Sequence, residues 1–108
     1  MKKPTRALSV RQPFAEQILR GTKRIEYRSI PTRILGERVY LYASLKPRPG
    51  GENLPRGFIV GTVEVTRCTG RRGDYQWHLR KPRRLARLLR PRNQPQPVWF
   101  RPFGRSSS

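Results

Sequence analysis

Apolar and polar positions alternate along most of this chain, and one helix-like stretch near the start interrupts the alternation. Residues 7–10, Ala-Leu-Ser-Val, read as a short strand. Gln12-Pro13 then opens a helix, with proline at a first-turn position where its missing N–H costs nothing. Phe14 and Ile18, with Leu19 beside them, supply the i, i+4 apolar stripe through residue 20. Gly21 fits the C-cap. Residues 23–28 have strand character again, and residues 31–36 connect onward. Residues 38–44, Arg-Val-Tyr-Leu-Tyr-Ala-Ser, form the clearest strand, rich in aromatic and β-branched types, with Tyr40 and Tyr42 on one face. Residues 46–55 are dense in Pro and Gly and are where mobility is expected. Residues 57–68 predict a long strand in which Gly61 marks a bulge or a close backbone approach. Residues 75–79 read as a short strand or an aromatic turn. Residues 91–97 are extended, and 98–100 close the pattern as a last short strand. Several short strands with one main N-terminal helix predict a mixed β-with-α fold, a small open or closed β-barrel with the helix packed on it.

The octet at residues 21–28 is the least ordinary part of this pattern. Gly21, Lys23, Glu26 and Arg28 give a G-x-K-x-x-E-x-R spacing. A strand here sets Arg24, Glu26 and Arg28 on one face and Lys23, Ile25 and Tyr27 on the other. Lys23, Glu26, Arg28 and the later Glu64 could converge in one cleft. A lysine beside carboxylates keeps its charge and suits an electrophile or phosphate ligand, whereas a partly buried lysine of lowered pKa suits a base or nucleophile. Glu26 or Glu64 could orient a water for hydrolysis. The structural alternative is an internal salt-bridge network holding the barrel mouth. Arg11, with Ser9 and Gln12, could form an anion pocket beside the first helical turn.

Charge changes the picture more than size does. The 108 residues suffice for one domain, expected over residues 1–103, with 104–108 as a flexible tail. An apolar share of 34% predicts a small core. Twenty-five basic residues against six acidic ones leave a net +19, which attracts polyanions, nucleic acid foremost. Twenty of those cations are arginine, a bias that a GC-rich genome also produces. Seven lie within residues 80–92. There Arg80, Lys81, Arg83, Arg84 and Arg87 are candidate phosphate contacts, while Leu85, Leu88 and Leu89 have the spacing of a helical turn or two. Cys68 and His78 each stand alone in the sequence, so neither a disulfide nor a zinc site is expected, and no cofactor is. No apolar run approaches the ~20 residues that span a bilayer, and a cytoplasmic monomer is the default expectation. Trp77, Trp99 and Phe100 are expected to pack the barrel.

The segment Leu8-Ser9-Val10-Arg11-Gln12-Pro13-Phe14-Ala15, followed by the octet, resembles the signature of the ASCH domain family. Gly61-Thr62-Val63-Glu64-Val65, Trp77-His78-Leu79 and the ending Pro95-Gln96-Pro97-Val98-Trp99-Phe100 resemble it too, so the likeness runs over residues 6–103. The resemblance implies a PUA-like β-barrel with a nucleotide-sized cleft lined by the octet, and binding of RNA or another single-stranded nucleic acid. Arg11, Lys23 and Arg28 would join the cationic run in that contact. One group in the family hydrolyses N4-acylated cytidines with a Lys, a Thr and a Glu, and ribonuclease activity is described in another. The Lys matches Lys23 and the Glu matches Glu64, but Glu26 stands where that group has Thr, a departure from the hydrolase pattern. Two classes of function therefore stand side by side. One is an RNA-binding module. The other is a small hydrolase using Lys23 with Glu26 or Glu64. A domain that only binds a partner protein is a third.

Overall fold

The computed structural model describes residues 3–104 of the chain. Six strands and one helix follow in order: β1 (Ala7–Val10), α1 (Phe14–Arg20), β2 (Ile25–Arg28), β3 (Glu37–Ala43), β4 (Phe58–Arg71), β5 (Asp74–Leu89) and β6 (Trp99–Phe100). They form one sheet in the order β2-β5-β4-β3-β1-β6. β1 and β3 run parallel, and the other pairs are antiparallel.

The sheet does not close into the expected barrel. β2 and β6 are its edges and share no ladder. They have four and two residues, and an irregular stretch leads into β6, with Val98 at φ 67°. Side chains span the gap instead. Arg28 on β2 donates from Nη2 to the Ser9 carbonyl on β1 at 2.7 Å. Trp77 on β5 stacks on Trp99 of β6, centroids 5.8 Å apart and planes within 10°. The indole N–H of Trp77 also finds the Ile30 carbonyl at 3.1 Å, which satisfies the polar end of a fully buried ring.

Residues 80–89 are strand, not helical turns. A tight turn between Arg71 and Asp74, with positive-φ Gly73 within it and positive-φ Gly70 just before it, folds β5 back along β4. The ladder satisfies the backbone of a segment whose like charges weaken a helix. Over the leucines the ladder is irregular: residues 85–88 together stand opposite the single residue Val60. A second irregularity sets Lys81 and Pro82 opposite Val63, with Lys81 at φ 52°. Gly61 is a close approach as expected: a Cβ there would overlap the Arg83 carbonyl oxygen and the Leu19 side chain. The adjoining register shift falls at Val60.

Alternation gives each face of the sheet its own cluster. Leu8, Val39, Leu41, Val63, Val65 and Trp77 pack with Ala15 and Ile18 of α1 on one side. Tyr40, Tyr42, Ile59 and Phe100 pack on the other, where the rings of Tyr42 and Phe100 meet edge to face. Residues 46–55 are tied to the helix start at two points. The buried Gln12 side chain donates to the Pro55 carbonyl at 2.9 Å and accepts from the Glu16 amide at 2.9 Å. The Arg48 amide donates to the Gln12 carbonyl at 2.7 Å. Among the described residues no helix is long and apolar enough to cross a membrane. Of the expected tail, residues 105–108 lie outside the described residues.

Candidate functional site

Helix α1 and the octet meet at one end of the sheet. There the parallel strands β1 and β3 end side by side, at Val10 and Ala43. The chain leaving β1 carries Arg11 and Phe14, and the chain leaving β3 carries Ser44, Lys46 and Arg48. Between these exits and the segment 94–98 lies a cleft of about 670 Å³, which also takes in Ser9, Glu26, Arg28 and Tyr42. That volume lies within the range of small-ligand sites, about 300–1,000 Å³. Segment 94–98 is fastened as its far wall by Ser9, whose hydroxyl donates to the Gln96 carbonyl at 2.7 Å and whose amide donates to the Val98 carbonyl at 2.9 Å.

Glu26 is the buried carboxylate of this cleft, only 7% exposed. Residue alternation on β2 turns it inward, opposite Trp77, and leaves Tyr27 outside. Arg28 binds its Oε2, through Nε at 2.9 Å and through Nη2 at 2.6 Å. Lys23 places Nζ 3.4 Å from Oε1. Burial of a carboxylate is tolerable here because two cations flank it. Arg28 also donates to Ser9 and lies 5.5 Å from the Trp77 ring. It acts as a strut across the open side of the sheet and lines the cleft. Lys23 sits between the rings of Phe14 and Tyr27, 5.0 and 5.3 Å from their centroids, a geometry that favours a cation.

The cations with freedom to meet a ligand are those at the rim. Arg11, Lys46 and Arg48 are exposed and line the cleft. The anion pocket expected of Arg11, Ser9 and Gln12 is realised only in part. Arg11 and Ser9 face the cleft, but Gln12 is buried and spent on the Pro55 carbonyl and the helix start. Tyr42 adds a phenol at the cleft floor, and burial raises its pKa, so it stays a neutral hydroxyl at physiological pH.

Glu64 does not join this group. It stands on β4 with Arg38, whose Nη2 lies 3.3 Å from its Oε2 and whose Nη1 donates to the Thr62 hydroxyl at 2.7 Å. The convergence of Lys23, Glu26 and Glu64 is therefore reduced to Lys23 and Glu26. Arg84 is likewise paired within the fold. Its guanidinium grips both Glu16 oxygens of α1, at 2.9 and 2.7 Å, while Arg20 holds the same carboxylate at 2.7 Å. These bonds, that of Arg84 foremost, hold the Glu16 pKa below its ordinary value against the opposing effect of burial, and Glu16 in turn raises that of Arg84. Arg80, Lys81, Arg83 and Arg87 lie exposed along β5. Where β2 ends, that stretch of β5 has only β4 as a strand neighbour, so its charges also guard a sheet edge. His78 and Cys68 carry no ligand geometry: the His78 ring meets the Thr69 hydroxyl at 2.8 Å, and Cys68 packs against the core.

Sequence reasoning missed Ser44, Lys46, Arg48 and the wall at 94–98. A signal was present in Lys46-Pro47-Arg48-Pro49, where cations alternate with prolines that stiffen the backbone. The family model described as ASCH domain matches residues 8–97, which include the octet, the rim and most of the far wall. No curated protein matches the chain.

Proposed function

The chain belongs to the ASCH domain family, and on that premise we propose that it is an RNA-binding module that holds one nucleotide of a single strand in the cleft. A PUA-like domain family makes RNA a plausible ligand. The observation that carries the proposal is the composition of the cleft. Exposed Arg11, Lys46 and Arg48 stand at the rim, where a phosphate backbone passes. Phe14 offers a ring inside, and bases stack on such rings. Glu26, already neutralised by Lys23 and Arg28, keeps a carboxylate edge facing the cleft, and carboxylates accept hydrogen bonds from base amino groups. Neutralisation matters: an uncompensated carboxylate would repel the strand.

The test is fluorescence anisotropy with a labelled single-stranded RNA at ~0.1 M salt, where the screening length is about 10 Å. The triple variant Arg11→Ala, Lys46→Ala, Arg48→Ala should lose affinity about ten-fold or more, with a salt slope shallower by about 0.7 per phosphate contact removed. Unchanged affinity and slope in a folded variant would sink the proposal.

The hydrolytic reading rests on the Lys23–Glu26 contact in the cleft wall alone, since Glu64 is engaged elsewhere. It expects turnover of N4-acetylcytidine or RNA that disappears in Lys23→Ala, and a panel of nucleosides and RNAs without turnover removes it.

A further inference from the structure

A second recess, of about 270 Å³, is lined by Lys23 and shares no lining residue with the cleft. It exists because of the irregularity in β5. Lys81 and Pro82 stand where one residue would pair with Val63, so the ladder gapes at that point. The floor is core: Ile18, Val63 and Leu79, all buried. The rim carries Lys23, Arg24, Arg80 and Lys81, and no carboxylate lines the recess. The nearest acids are engaged, Glu26 by Lys23 and Arg28, and Glu64 by Arg38.

Such an arrangement costs free energy in the unliganded protein. Three of the rim cations, Arg24, Arg80 and Lys81, form no ion pair among the described residues, and like charges around one opening repel each other. Lys81 also holds φ 52°, a conformation that non-glycine residues rarely adopt. Strain of this kind persists where the surroundings impose it and concentrates at ligand sites. The bulge aims Lys81 and removes a backbone donor at Pro82, leaving side-chain cations as the groups that can meet an anion.

We propose that this recess is an oxyanion subsite that takes a phosphate group, and that it serves a strand threaded from the cleft across the Lys23–Glu26 wall. Phosphate binding by the recess stands on its own geometry; only the threading rests on the nucleotide reading of the cleft. Lys23 links the two: it lines the recess, and its ammonium lies 3.4 Å from Glu26, which lines the cleft.

The experiment is a two-dimensional amide NMR titration of the full chain with two probes, inorganic phosphate and a dinucleoside monophosphate. Inorganic phosphate should shift the amides of Gly21, Arg24, Arg80 and Lys81 saturably and by more than those of Arg71 and Arg72, which are exposed but line no recess. The dinucleotide should shift the same amides together with those of Ser44, Leu45 and Arg48 at the cleft. In Arg24→Ala, Lys81→Gly the recess shifts should vanish and the cleft shifts persist; glycine is chosen because it accepts the backbone conformation of Lys81. Recess amides that stay still with both probes, or that move no more than Arg71 and Arg72, overturn the proposal. Recess shifts without cleft shifts uphold the oxyanion subsite and dismiss the cleft as the nucleotide site.

Discussion

Arg84 shows how one residue's role is decided by its partner rather than by its type. In the sequence it is one of seven cations in thirteen positions and reads as a phosphate ligand. In the fold it is the outer half of a fork that ties α1 to β5 through Glu16. Nothing in the local pattern shows this, because the two residues are 68 apart in the chain. Glu26 and Arg28, two apart, were legible as an alternative salt bridge, whereas the departure of Glu64 toward Arg38 depended on strand register. A prediction belongs to Glu16. Its folded pKa lies below its unfolded one, so the stability it contributes is present above the unfolded value and is lost as pH falls through the folded value. Glu16→Gln should lower stability at pH 7 by about 1 kcal/mol, the upper end for a surface pair. The gap between the two proteins should close as pH falls through the carboxylate range in thermal melts, and a gap independent of pH would contradict the assignment.

Elements were legible wherever local periodicity and pairing agreed. β1, α1, β3 and the body of β4 lie within a residue or three of where the apolar pattern sets them. β5 was not, since its leucines have helical spacing and only the ladder with β4 defines it as a strand. Closure failed for a related reason: pattern predicts strands, but not whether the edge strands β2 and β6 meet. Gly61 was legible because a side chain is missing from the middle of a strand otherwise rich in β-branched residues, which marks a place where backbones come close. Gly61→Ala should destabilise the fold by about 1–3 kcal/mol through overlap with the Arg83 carbonyl. Denaturant unfolding would measure it, and a neutral effect would mean that β5 yields at that point.

Across the whole molecule, four of the six carboxylates, Glu16, Glu26, Glu37 and Glu64, are consumed in ion pairs within the fold. The surface is therefore even more one-signed than the sequence total suggests, and exposed cations run from the cleft rim through β5 to the hairpin tip at Arg71 and Arg72. Polyanion binding should accordingly weaken linearly in log affinity against log salt, with a slope of about −0.7 per phosphate neutralised on a single strand. Anisotropy titrations at several salt concentrations give the slope, and one near zero would argue that charge is not what the surface offers.

The open side of the sheet has a different consequence. Its two edges are held by an indole stack and a guanidinium reaching a carbonyl, not by rungs of a ladder. Parting them breaks no strand pairing, so it is a local event with a free energy of its own, separate from global unfolding. The aperture of the cleft is thus an adjustable dimension. Exchanging Arg28, which lines the cleft, for a smaller group would reset it while β1, β3, β4 and β5 keep their register, which lets the size of the occupant vary independently of the scaffold that holds it.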